Sequence, residues 1–184
     1  MVTKRGAPGE LELVRAFVNT LDAESGEDEL ARPAALRDWL ARRRLLEGTW
    51  ETTAEDVAQA VAVREALRAL LLANNGAVVD SAAAATLDEA AGRALLSLRF
   101  LPDGSACQEP AAGGVEGALG RVLAIVAAAM AEGTWSRLKA CRSEACRWAF
   151  YDQARNRSRT WCDMAVCGNR VKARTYRKRR RAGP

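Results

Sequence analysis

The chain of 184 residues has no histidine. That absence removes the side chain most used for general acid and base work near neutral pH, and it removes any mixed cysteine and histidine coordination of a metal. A phosphate-cradling glycine loop and a nucleophile elbow are missing as well, and the carboxylates form no pair that stands out from solvent-facing charge, so an enzyme is not expected. Long apolar runs are also lacking. The longest, Val122 to Ala131, spans ten residues, where a bilayer crossing takes about 18 or more. It reads as a buried helix, not a membrane anchor. Met1 to Glu10 carries two basic residues and no apolar stretch behind them, so no secretory leader is expected. The cysteines should therefore meet a reducing cytoplasm, where metal binding is favoured over disulfides.

Four of the five cysteines fall in the last fifty residues as two pairs of equal spacing, Cys141 with Cys146 and Cys162 with Cys167, separated by fifteen residues. Two C-x4-C pairs joined by a short loop can close a tetrahedron around one Zn²⁺. Without histidine the site would be four sulfurs, closed, and structural. The need for metal follows from size: so short a segment buries too little apolar surface to fold alone, and a structural zinc contributes about 10–16 kcal/mol to folding. Cys107 has no partner at ligand spacing and reads as a small, half-buried apolar residue.

Charge is segregated just as sharply. From Trp135 to Pro184 there are fifteen Lys and Arg against three acids, a net +12, which leaves thirteen basic and twenty acidic residues, a net −7, in the first 134. That is the footprint of a polyanion-binding module attached to an acidic body. Within the basic part, Arg155, Arg157 and Arg159 alternate; if extended, they present three guanidinium groups about 6.6–7 Å apart, near the interval of phosphates along one strand. After Cys167 a helical stretch carries Arg170, Arg174, Arg177 and Arg181 at spacings of four, three and four, with Lys172, Lys178, Arg179 and Arg180 broadening the face. The alternative for the terminal run is a solvated, disordered arm. Asn169 and Arg170 could reach a base edge, or Asn169 could cap the helix and Arg170 pair with Asp163. Trp148 and Phe150 fall on one face of a short strand and suit a small core above the metal, with base stacking as the alternative.

The first 133 residues read as helical with one hairpin. Leu11, Val14, Phe17, Val18 and Leu21 predict a first amphipathic helix that finishes near an acidic stretch, Ala23 to Glu29. Pro33 opens a second helix with Leu36, Trp39 and Leu40 on one face, running toward Gly48, and Arg42, Arg43 and Arg44 on it fan around as solvated charge. A capping box at Thr53 and Asp56 starts a long third helix striped by Val57, Val61, Leu67, Leu70 and Leu71 and stopped at Asn74-Asn75-Gly76. An alanine-rich helix near Ser81 to Ala91 precedes a hairpin, Leu95 to Leu101 and Ser105 to Gln108 about Pro102-Asp103-Gly104. A last helix carries Val115, Leu119, Val122, Leu123, Val126 and Met130, and Gly133 ends it. The expected fold class is mainly α: a multihelical body, 1–133, with one β-hairpin, then a small four-cysteine zinc finger with a basic helix, 134–184.

The finger residues carry a resemblance. Arg137-Leu138, Arg147-Trp148, Phe150-Tyr151-Asp152, Arg155-Asn156, Ser158-Arg159, Trp161-Cys162, Met164 and Cys167-Gly168-Asn169-Arg170 with Lys172-Ala173-Arg174 resemble the CGNR zinc finger. In that family the finger follows an N-terminal helical module called ABATE, and the layout of residues 1–133 is similar. The resemblance implies a bacterial, stress-induced transcription regulator. It also makes Phe17-Val18-Asn19-Thr20 the module's entry motif, with Asn19 and Thr20 as candidate contacts to a small-molecule effector. Their alternative role is to finish the first helix by bonding backbone groups. One departure stands out: the family's Asp-Thr-Ser-Arg-Asn is Asp152-Gln153-Ala154-Arg155-Asn156 here, so both hydroxyls are missing from that loop. The function expected is DNA binding by the finger with the body as effector-sensing or dimerising unit; RNA binding, or a protein-interaction adaptor with a purely structural finger, are the alternatives.

Overall fold

The computed structural model describes residues 6–173. Arg174, Arg177, Lys178, Arg179, Arg180 and Arg181 lie outside them. Five α-helices and a hairpin form the first part: α1 Leu11–Val18, α2 Pro33–Arg42, α3 Ala54–Ala73, α4 Ser81–Arg93, β1 Leu96–Phe100, β2 Ala106–Pro110 and α5 Gly114–Ala131. Two further strands, β3 Leu138–Ala140 and β4 Ala149–Tyr151, pair antiparallel in the cysteine-bearing part.

The helices bury the faces that their spacing implies, with instructive exceptions. On α1, Leu11, Val14, Phe17 and Val18 are buried, but the helix stops before Leu21, which bridges to Asp28 across a short acidic loop. Pro33 occupies the first turn of α2, and Trp39 meets Phe17 edge-on at 5.5 Å. That helix ends at Arg42, short of Gly48, because Arg44 adopts a left-handed φ of 56°. Arg43 is not simply solvated: its guanidinium lies over the Trp39 ring, 3.9 Å from the centroid.

Helix α3 begins with the expected capping box between Thr53 and Asp56. Its buried face is rotated from the expected stripe and includes two arginines, Arg64 and Arg68. Arg64 pairs with Asp28 at 2.7 Å, and Arg68 donates to the carbonyls of Val18, 2.7 Å, and Arg147, 3.1 Å. Buried guanidinium groups persist only when their donors are used, so these two fix α1, the acidic loop and the knuckle against α3. Helix α5 has the length and composition to cross a membrane, yet Val115, Leu119, Val122, Leu123 and Val126 are buried against α1, α3, α4 and β2 as a core helix.

The core does not divide at residue 133. Leu138, Ala140 and Ala149 belong to the same buried cluster as Phe17, Leu67 and Val122. Three asparagines sew the two parts together. The Asn19 side chain accepts from the Ala149 N–H at 2.7 Å and donates to its carbonyl at 3.0 Å, doing for β4 what a neighbouring strand would do. Asn74 donates to the carbonyls of Trp135 and Leu138, and Asn75 to those of Ala140 and Thr160. Next to them Gly76, at φ 88°, passes so close to the Arg142 guanidinium that any side chain would collide with it, and Arg142 in turn donates to the Asn75 carbonyl.

Asn19→Ala would strand both backbone groups of Ala149 in a buried setting. It is expected to destabilise the whole chain by about 1–3 kcal/mol, read as a lower urea midpoint with an unchanged slope.

Candidate metal centre and the basic surface around it

Cys141 follows β3 directly, and its N–H donates to the Trp148 carbonyl at 2.9 Å. The chain then turns on Ser143, whose carbonyl accepts from Cys146 and Arg147, with Arg147 at a left-handed φ of 51°. This is the first knuckle. In the second, Asp163 accepts from the N–H groups of Ala165, 2.8 Å, and Val166, 3.1 Å, opening a π-helical turn, Met164–Gly168, that contains Cys167 and continues as α-helix over 169–173. A Cβ at Gly168 would fall on the Met164 sulfur and close to the Trp161 ring, so the backbone passes tightly beneath those two side chains.

The four Sγ atoms all lie within 4.8 Å of one another. Cys162 is 3.5 Å from Cys146 and 3.7 Å from Cys167. A disulfide needs about 2.05 Å, whereas sulfurs about 2.3 Å from a tetrahedral zinc sit about 3.8 Å apart. Cys141, Cys162 and Cys167 are buried, Cys146 is half-buried, and Trp148, Phe150 and Trp161 pack around them. The donor set is therefore that of one structural zinc held by Cys141, Cys146, Cys162 and Cys167. Phe150 and Trp148 belong to the small core over the sulfurs, while Ala149 and Tyr151, on the other face of β4, join the body core.

Without a cation the four sulfurs cannot all be thiolates. Sulfhydryl hydrogen bonds from Cys146 and Cys162 pull the Cys141 thiol far down. Cys162 is pushed strongly up by its contacts with Cys141 and Cys146, and burial, followed by Cys146, pushes Cys167 up to about 12. Thiols with raised pKa values keep their protons at neutral pH, so zinc must displace them, and its affinity falls as pH falls.

The basic loop after β4 is built on a second buried charge centre. Lys139, on β3 between Leu138 and Ala140, is 5% exposed, and Asp152 is fully buried. The Lys139 ammonium donates to Asp152 Oδ2 at 2.8 Å and to the carbonyls of Arg157 and Arg159, using all three protons. Asp152 also accepts from the N–H groups of Ala154 and Arg159. Burial would raise the Asp152 carboxyl, but Lys139 and these N–H donors outweigh it and hold it below the usual range. A depressed carboxyl contributes stability at neutral pH that is lost as pH falls through its folded value.

This centre decides where the candidate nucleic-acid contacts go. Residues 153–160 are not an extended strand: Arg157 turns back at φ 51°, and its N–H bonds the Ala154 carbonyl. The three guanidinium groups therefore do not form the evenly spaced row that alternation implied. Arg155, Arg157 and Arg159 are all exposed, but Arg157 donates to Ser136 Oγ, and Arg159 reaches the Cys162 carbonyl across the Phe150 ring. Asp163, not Asn169, caps the turn, and Asn169 lies inside the helix. Arg170 pairs with Glu24 of the acidic loop at 2.6 Å, not with Asp163, and both partners are about half exposed. Lys172 is exposed on the helix beyond it. Asn19 and Thr20 are buried with their side chains engaged, Asn19 on Ala149 and Thr20 between the Phe17 carbonyl and Arg64.

Lys139, Asp152, Arg68, Asn74 and Asn75 escaped the sequence reading as structural determinants. A lone lysine between Leu138 and Ala140, opposite a strand followed directly by an aspartate, was the available signal. The paired asparagines were legible only as a helix terminator.

Lys139→Met is expected to cost about 3–5 kcal/mol, because Asp152 would stay buried and uncompensated, and thermal unfolding of the zinc-loaded protein checks it. Titrating zinc into the apo chain in weak buffer should release protons. Chelation should strip the metal more readily in mild acid than in mild base, followed by the fluorescence of Trp148 and Trp161.

Two family descriptions match the chain. The CGNR zinc finger covers residues 137–180, and ABATE, described as a putative stress-induced transcription regulator, covers residues 11–133. No curated protein matches it. Since the second match alone spans two thirds of the sequence and the first contains all four sulfurs, the chain belongs to the ABATE family and ends in a CGNR zinc finger.

Proposed function

We propose that the protein is a cytoplasmic, DNA-binding transcription regulator whose zinc finger contacts the duplex through phosphates. The observation that carries this reading is the segregation of a net +12 onto the last fifty residues beside a −7 body, together with the rigid seating of part of that charge. Arg155 and Arg157 project from a loop pinned by Lys139 and Asp152, and Arg170 and Lys172 from a helix whose first turn contains a zinc ligand. Zinc thus fixes the angle between two cationic elements, the arrangement needed to grip a backbone from two sides. Charge outnumbers amide readers on these two elements, and Asn156 in the loop already accepts from the Ser158 hydroxyl, so affinity should exceed sequence discrimination.

Arg170 is held by Glu24, a half-exposed pair of small worth, and a phosphate can replace that carboxylate at little cost. Arg174, Arg177, Lys178 and Arg181, outside the described residues, add positive charge to the same segment and are further candidates for phosphate contacts. Neutralised phosphates release counterions, so the salt dependence of binding counts the contacts.

Fluorescence anisotropy of the zinc-loaded full chain on duplex DNA should show log affinity falling with log salt, with a slope of about −0.9 per phosphate contacted. Replacing Arg155 and Lys172 together with alanine should flatten the slope by about two units and weaken all sequences alike. Affinity that does not change with salt would overturn the reading, and structured RNA outcompeting duplex DNA at fixed salt would move it to RNA.

A further inference from the structure

Strand β1 is an open edge. Its ladder with β2 runs from Leu96 opposite Pro110 to Phe100 opposite Ala106 without a bulge, and no third strand joins it among the described residues. Just beyond the strand ends, the Leu101 N–H donates to the Ser105 carbonyl, and the Ala111 N–H to that of Leu95. Backbone groups alternate in direction along an antiparallel strand. Residues 95, 97, 99 and 101 therefore turn theirs toward β2, and Leu96, Leu98 and Phe100 turn theirs outward. No backbone bond from outside the hairpin reaches those three among the described residues.

Natural edges are normally blunted by lysine, proline, a bulge or an inward charge. None of these protects β1. Its one charge, Arg99, is taken by Glu109 across the hairpin at 2.6 Å. The side chains on the outward-bonding positions are apolar and uncovered: Leu98 is 62% and Phe100 74% exposed.

We propose that β1 pairs antiparallel with β1 of a second copy of this chain, about a two-fold axis at Leu98, to make a continuous four-stranded sheet. The strand is complementary to itself in that register. Leu98 meets its own counterpart and Leu96 meets the partner's Phe100, so three outward-facing residues on each side exchange about six hydrogen bonds and form one apolar row. On the other face Arg99 stands opposite the partner's Ser97. A one-residue slip would set outward-facing backbone against inward-facing backbone, and centring on Arg99 would set two arginines against each other. The interface is isologous and closes on itself, so it stops at two copies. It involves the helical body alone and stands whether or not the finger binds DNA.

The test uses zinc-loaded full-length protein carrying Cys107→Ser, so that the metal-bound cysteines are the only others present. Light scattering should report a dimer. Under mild oxidation Leu98→Cys should link to itself, since an opposed hydrogen-bonded pair places the Cα atoms about 5.5 Å apart. Phe100→Cys should not, because its own copies are offset by about 14 Å along the strand. Leu98→Lys, at an exposed site, should give a monomer with the parent's zinc content and a cooperative thermal transition whose midpoint no longer depends on protein concentration. A monomeric parent, a dimer that survives Leu98→Lys, or equal linking by Phe100→Cys would overturn the proposal.

Discussion

Four sulfurs within 4.8 Å of one another are the constraint on which the C-terminal third depends. As thiols they clash in their protonation, with Cys141 drawn down while Cys162 and Cys167 are driven up. As thiolates they need a dication. Zinc satisfies all four at once, and in doing so it joins a knuckle on β3 and β4 to the turn that starts the basic helix. Arg159, which spans from the arginine loop to the Cys162 carbonyl, ties the loop to the same centre. Position therefore passes from metal to charge through two short covalent paths and one hydrogen bond, with no long flexible segment between.

The metal does not act alone. The knuckle strands are packed into the helical body, and Asn19, Asn74 and Asn75 satisfy backbone groups that a two-stranded sheet this small leaves open. Arg68 does the same for the turn carbonyl of Arg147. Such side chains replace missing strands. Their cost is that helices and finger share one core, so damage on either side should be felt on the other. The Lys139 and Asp152 pair repays its desolvation because all three ammonium protons and both carboxylate oxygens have partners, and it sits where the loop needs one conformation.

Much of this architecture was legible in the chain. The capping box at Thr53, the proline opening α2, the terminator after α3 and the hairpin about Asp103 are local signals, and each sits where it was expected. The zinc ligands were legible because equal spacing is rare by chance. What failed was whatever depends on tertiary partners. Arg64 and Arg68 look like surface charges until Asp28 and the Val18 carbonyl are brought beside them. The alternation of Arg155, Arg157 and Arg159 suggested an extended strand, but Asp152 captures two N–H groups and folds that stretch into a turn. Arg170 found Glu24, 146 positions away, in place of the nearby Asp163. Periodicity reports which faces are apolar; it says nothing of which polar groups meet across the core.

The most direct measurement is X-ray absorption at the zinc edge on purified protein, with metal content determined alongside. The account predicts one zinc per chain, surrounded by four sulfur scatterers at about 2.3 Å and no nitrogen or oxygen neighbour. A mixed first shell, or a metal-free chain that keeps the ordered environment of Trp148 and Trp161, would contradict it.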